Sequence, residues 1–242
     1  MNAATARVFT LRFRGLRAWI AALDAMPLEA PVDAEEVVIA PAQRVDLLVD
    51  VLAEPGEEAL IASVERNGTY ALGGLDVTGP GTAPRAAPGP LAPNEMPALA
   101  LDAARRVPLV MEGGAMRGLP DGAIWKGERR DMRALAEAGQ FWAFNGVVGM
   151  TDNPLVEAFE GETVRIPITN RTAFDHTMHL HGMHFREILP EGGFGALRDT
   201  ITLFRGETRE IAFTASNPGD WLLHCHMLSH AESGMMTWIR VA

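Results

Sequence analysis

Over residues 8–13 the chain alternates, with Phe9, Leu11 and Phe13 on one face and Thr10 and Arg12 on the other, which is the period of a half-buried β-strand. Short apolar, often β-branched runs follow at 36–40, 45–52 and 60–64, separated by Pro, Gly or charged residues. This spacing predicts an all-β sandwich. The run from Gly79 through Thr82 and Pro84 to Pro93 is dense in Pro, Gly and Ala and reads as an interdomain linker. A second unit starts near Val107 and Pro108, so the expected organisation is a first unit at 1–80, a linker at 81–106 and a second unit at 107–242. Within the second unit Val164, Ile166 and Ile168 alternate with Arg165 and Pro167. Pro167 has no N–H to donate and is expected at an edge or a bulge. Residues 130–139 fit a short helix and an irregular surface segment equally well, and no internal repeat is convincing.

The strand expected from Asp220 runs into His224, Cys225 and His226, which include the only cysteine of the chain; His230 and Met235 follow, and His176, His179 and His181 lie upstream. Successive side chains of an extended strand point to opposite faces, so His224 and His226 aim one way and Cys225 the other. The same parity puts His179 and His181 together, with His176 facing away from them. Two ligand sets follow. Cys225, His176 and His230 with a weak thioether from Met235 form the two-His, one-Cys set with a long axial Met that suits a blue electron-transfer copper. The other set, His179, His181, His224 and His226, is all imidazole; it suits copper but has no thiolate. Gly234 allows tight backbone geometry just before Met235.

The runs HTMHLHG, from His176, and HCHMLSHAESGMM, from His224, resemble the two C-terminal copper motifs of the multicopper oxidases, laccase-like and copper-resistance enzymes built from cupredoxin domains. The resemblance implies Greek-key β-sandwiches of the cupredoxin type, the first partial and the second whole. It makes His176, Cys225, His230 and Met235 ligands of type 1 copper. It makes His179, His181, His224 and His226 ligands of a type 2/type 3 trinuclear cluster, and with Cys225 these four are the residues expected to carry catalysis. The implied reaction is one-electron oxidation of a phenolic, organic or cuprous substrate coupled to reduction of dioxygen to water. Thr177 stands where the family often has Pro. Pro41, Gln43, Arg44 and Asp46 resemble a middle-domain segment of these oxidases, and Phe141 to Gly146, Asp199 with Thr200, and Pro218 to Trp221 resemble others.

All seven histidines fall between His176 and His230. The family's trinuclear cluster draws four histidines from a first domain and four from the last, so the expectation is a C-terminal portion whose cluster is completed by an N-terminal cupredoxin domain or another subunit. The competing reading is a cupredoxin that only binds copper or transfers electrons; it needs His176, Cys225, His230 and Met235 and leaves the other four histidines without a purpose. A copper nitrite reductase fits less well, because His226 and the short step from Cys225 to His230 are not its pattern. His184 belongs to neither set and reads as a hydrogen-bonded or surface histidine. Met178, Met183 and Met227 either favour cuprous ions as substrate or fill the core.

The 48% hydrophobic content of the 242 residues is enough for real cores, and the formal charge of −10 disfavours nucleic acid and anionic membranes as partners. No apolar run approaches the ~20 residues of a membrane span. The first residues lack the pattern of a signal peptide, while the resemblance implies a periplasmic or secreted full-length protein. One cysteine excludes an internal disulfide.

Overall fold

The computed structural model describes residues 1–81, 83 and 85–242. Thr82 and Pro84 of the expected linker lie outside the described residues. The chain divides into two compact units, Met1–Glu95 and Met96–Ala242.

In the first unit the alternating run forms the strand Phe9–Arg14, flanked by Glu36–Ile39 and Ala59–Glu65, with Gly68–Leu75 at the edge of the same sheet. A second sheet holds Met26–Asp33, Leu16–Leu23 and Val45–Val51. Ala18, Ala34 and Val37 are buried at the centre of a cluster that Leu11, Phe13 and Leu47 pack against. Three of these strands escape the sequence pattern. Leu16–Leu23 and Met26–Asp33 form a hairpin whose turn is made by Asp24 and Ala25, both at positive φ (51° and 65°), without the glycine that normally signals such a turn. Gly68–Leu75 is exposed along its whole length, so it has no buried face to impose alternation. The described residues from Gly79 to Pro93 have no regular structure, yet Arg85 pairs with the buried carboxylate of Asp50.

The second unit holds a sheet built on Thr163–Asn170 and another built on Gly219–Cys225. Val164, Ile166 and Ile168 are fully buried in the first of these, as their alternation requires. Pro167 is not at an edge. Its strand is central, paired with Thr208–Thr214 on one side and with Arg105–Arg106 and Leu109–Gly113 on the other. Arg165 O accepts from Val107 N at 2.9 Å, so Pro167, two residues on, turns its missing N–H toward the same side, where the neighbouring chain breaks between Arg106 and Leu109. The break takes the place of a bulge. Residues 130–139 contain the helix Met132–Glu137, capped by Asp131, whose carboxylate accepts from Ala134 N at 2.8 Å.

The second sheet places the chemistry. In it, His176–Leu180 lies antiparallel between Thr200–Leu203 and Gly219–Cys225, and Met236–Val241 follows on the far side of Gly219–Cys225. The turn leaving His181 depends on Gly182, at φ +73°, where a Cβ would sit 2.1 Å from the Trp221 ring. The indole cannot yield cheaply, since Trp221 Nε1 donates to Asn217 O at 2.7 Å and Asn217 Nδ2 donates back to Gly182 O at 3.0 Å. Gly182→Ala is therefore expected to destabilise the second unit by about 3 kcal/mol, combining left-handed backbone strain with overpacking. Urea unfolding of the full chain followed by tryptophan fluorescence checks this, and an unshifted midpoint would show that the ring gives way without cost.

Candidate metal centre

Strand pairing sets the geometry. Met178 lies opposite Cys225, His179 opposite His224 and Leu180 opposite Leu223, so directly paired residues project to the same face. Cys225 and His176 fall on one side of this ribbon, His179 and His224 on the other. Beyond the end of the strand, His226 N donates to Thr177 O at 2.7 Å, and the short helix Leu228–Glu232 carries His230 back over the thiol.

On the first side Cys225 Sγ is 3.7 Å from His176 Nδ1 and 3.9 Å from His230 Nδ1, and the two nitrogens are 3.2 Å apart. Bonds of about 2.0 Å to nitrogen and 2.3 Å to sulfur around one ion in a trigonal plane put donor atoms roughly 3.5–3.7 Å apart. The three atoms fit that spacing, and two imidazoles with one thiol are a donor set that copper favours. Met235 is wholly buried beside them. Its O accepts from Cys225 N at 3.1 Å and its N donates to His230 O at 2.9 Å, which ties its position to both ligand segments. Gly234, at φ +117°, lets this loop pass where a Cβ would meet Trp142 O at 2.4 Å.

His176 and Cys225 are fully buried and His230 partly so. Burial, helped by repulsion from His230, lowers the His176 pKa to about 3, and burial lowers that of His230 as well. Both imidazoles are thus neutral and able to donate a lone pair near neutral pH. Burial pushes the Cys225 thiol up to about 12, against backbone hydrogen bonds with Met227 and Thr177 that favour the thiolate. A buried, protonated thiol is a poor nucleophile. A metal bound to this sulfur would displace its proton.

On the second side four imidazoles converge. The His179 ring centroid is 4.6 Å from that of His181 and 5.9 Å from those of His224 and His226; the His224 and His226 centroids are 5.3 Å apart. His181 Nε2 and His224 Nε2 approach to 3.1 Å. His179 Nδ1 bonds Asp199 O at 2.9 Å and His224 Nδ1 bonds Cys225 O at 2.9 Å. A carbonyl oxygen only accepts, so each Nδ1 carries the hydrogen and each Nε2 presents a lone pair to the cluster. Burial lowers the His224 pKa to about 4 and lowers that of His181, which keeps these rings neutral too.

Every residue expected as a ligand therefore lies in one of two groups, joined back to back through His224, Cys225 and His226. His184 joins neither; its Nε2 is 3.8 Å from the Asp199 carboxylate. Asp175 Oδ1 accepts from Arg205 N at 2.9 Å, a turn contact. Met178, Met183 and Met227 are buried and fill the core. Three contributors have no signal in the spacing of histidines. Trp142 packs on His230 and His176, with ring centroids 4.4 and 4.9 Å away. Asp199 holds His179 through its carbonyl, and Thr172 meets His176 Nε2 at 2.7 Å.

Residues 126–242 match the sequence model of the multicopper oxidase family. Copper resistance protein A of Pseudomonas syringae pv. tomato is 38% identical over 100 residues, which are 41% of this chain and 16% of that protein. Lac15 from a marine microbial metagenome superposes with a TM-score of 0.76 at 34% identity, covering 100% of this chain and 54% of its own. A multi-copper oxidase from Pseudomonas thermotolerans superposes with a TM-score of 0.75 at 26% identity, covering 98% of this chain and 53% of its own. The chain thus spans about half the length of these solved structures, and its sheets are those of their cupredoxin domains. The segment 126–242 is thus that of a multicopper oxidase, and the chain as a whole has the cupredoxin fold of about half of such an enzyme.

Proposed function

We propose that the chain is the type 1 copper portion of a laccase-like oxidase, with His176, Cys225, His230 and Met235 as its type 1 ligands. His179, His181, His224 and His226 are its share of a trinuclear cluster. The observation that carries this reading is the juxtaposition of a buried Cys-His-His group and a four-imidazole group on opposite faces of one tripeptide. Copper bound at these groups supplies one-electron acceptance from a reducing substrate and, at the imidazole cluster, reduction of dioxygen to water.

The chain's own residues then have definite tasks. His230 borders a cleft of about 530 Å³ that is also lined by Gln140, Phe141, Trp142 and Glu232, and a phenolic or other organic donor seats there. Such a donor loses a proton with its electron, and the Glu232 carboxylate on the cleft wall accepts it. A cuprous substrate would need no such acceptor. Cys225 links the two groups, because its backbone runs directly into His224 and His226 and gives a short covalent path between them. Trp142 and Phe174, 5.9 Å apart between ring centroids, crowd the ligand rings and limit their movement. An oxidase exported to the periplasm or beyond is part of this proposal.

Copper reconstitution of the full chain should give an intense blue absorption and a type 1 electron paramagnetic resonance signal, both lost in Cys225→Ser. A blue band that survives this change would remove Cys225 from the site.

Met235→Leu should leave copper bound and raise the reduction potential, because a weak axial donor that favours Cu(II) is gone. Redox titration reads it; an unchanged potential shifts the axial role to Met236 or abolishes it.

With four imidazoles at the cluster and seven histidines in all, the chain alone should consume oxygen far more slowly than the same chain supplied with a cupredoxin domain that carries the complementary histidines. Oxygen uptake with a phenolic donor compares the two. Equal turnover would mean that the cluster assembles between copies of this chain, and no turnover in either would favour a copper-binding or electron-transfer module.

A further inference from the structure

Carbonyl oxygens fix the tautomers of His179 and His224. The partner of His176 is different: a hydroxyl, which can donate or accept. Thr172 Oγ1 lies 2.7 Å from His176 Nε2, and His176 can offer Nδ1 to the Cys225 site only if Nε2 carries the ring hydrogen. What the hydroxyl does with its own hydrogen decides the matter.

Asn170 supplies the answer. Its Nδ2 donates among Phe174 O at 2.7 Å, Phe204 O at 3.1 Å and Leu203 O at 3.2 Å. Those three carbonyls fix which end of the amide is nitrogen. Oδ1 therefore faces Thr172, accepting from Thr172 N at 3.0 Å and lying 2.8 Å from Thr172 Oγ1. Phe174 N donates to the same hydroxyl oxygen at 3.2 Å. With Asn170 Oδ1 at 2.8 Å and Phe174 O at 3.1 Å as acceptors for its hydrogen, the hydroxyl turns a lone pair to Nε2. All three side chains are buried, Thr172 and His176 completely and Asn170 to 1% exposure, so no solvent competes for these positions.

We propose that Asn170 and Thr172 are positioning residues that hold His176 as its Nε2–H tautomer, leaving Nδ1 bare toward Cys225 and His230. The proposal rests on the reading of His176 as a metal ligand. The arrangement also sets the ring plane, because Asn170 is bonded to the carbonyl of Leu203, the residue that pairs with His176 in the sheet. A hydrogen-bond acceptor behind a ligand imidazole raises its basicity, and loss of such a partner typically lowers metal affinity about 10–100-fold.

The test uses the full chain, metal-free, with ¹⁵N-labelled histidine, and long-range ¹H–¹⁵N correlations to read each ring's tautomer. Wild type should show His176 protonated at Nε2 and bare at Nδ1. Thr172→Val, close in shape but without the hydroxyl, should lose this fixed tautomer, bind copper about 10–100-fold more weakly in chelator competition and change the type 1 resonance signal. Thr172→Ser should restore all three. A wild-type His176 protonated at Nδ1 overturns the proposal without any variant, and so does a folded Thr172→Val with wild-type tautomer and affinity. If Thr172→Val fails to fold, the wild-type and Thr172→Ser tautomers still decide. Failure of wild type to bind copper at Cys225 with the tautomer as stated would sink the ligand reading and leave the positioning role standing.

Discussion

Both donor groups depend on the register in which His176–Leu180 lies against Gly219–Cys225. With Met178 opposite Cys225 and His179 opposite His224, the pleat sends the thiol and His176 into one layer and His179, His181 and His224 out of the other. A slip of one residue would exchange the faces and pair thiol with the wrong rings. The neighbouring strands make such a slip costly. Thr200–Leu203 fixes one edge through the partners His176 with Leu203 and His179 with Thr200, and Met236–Val241 fixes the other from Gly219 to His224. His176, Met178 and Cys225 are fully buried on one layer, and Thr177 and His224 are buried on the other beside the half-buried His179, His181 and His226, so register and burial enforce each other.

Much of this was legible before the fold was known. Alternation is an arithmetic property of a strand, and the spacings 176/179/181 and 224/225/226 contain the two-faced arrangement without reference to any neighbour. The strand Phe9–Arg14 was readable for the same reason, whereas Val45–Val51 and Ala59–Glu65 were readable as short apolar runs bounded by Pro, Gly or charged residues. What stayed hidden depended on partners distant in sequence. Trp142 meets His230 only because the chain folds back across some ninety residues; the segment Phe141 to Gly146 carried a family resemblance, but nothing in it pointed to the histidines. Asn170 and Thr172 look like ordinary polar residues leaving a strand. Pro167 misled for a physical reason: proline is excluded from a central strand only if the neighbour needs its N–H, and here the neighbour is interrupted. The hairpin at Asp24 and Ala25 was missed because those two residues accept positive φ without the glycine that would have announced it.

The electrostatics of the site have one theme, the removal of water. Burial keeps His176, His181, His224 and His230 neutral and keeps the Cys225 proton in place. Neutral imidazoles cost less to bury than charged ones, so their packing against Trp142 and one another is compatible with a stable, metal-free core. The imidazoles thus have lone pairs free to donate near neutral pH.

Concealment of Cys225 has a further effect on the life of the molecule. Oxidation of sulfur and exchange with disulfides both proceed through an accessible thiolate, and this sulfur is neither accessible nor ionised. Burial of this kind slows the reaction of the sulfur with oxidants and foreign thiols. The packing that sets the position of the sulfur is also what shields it.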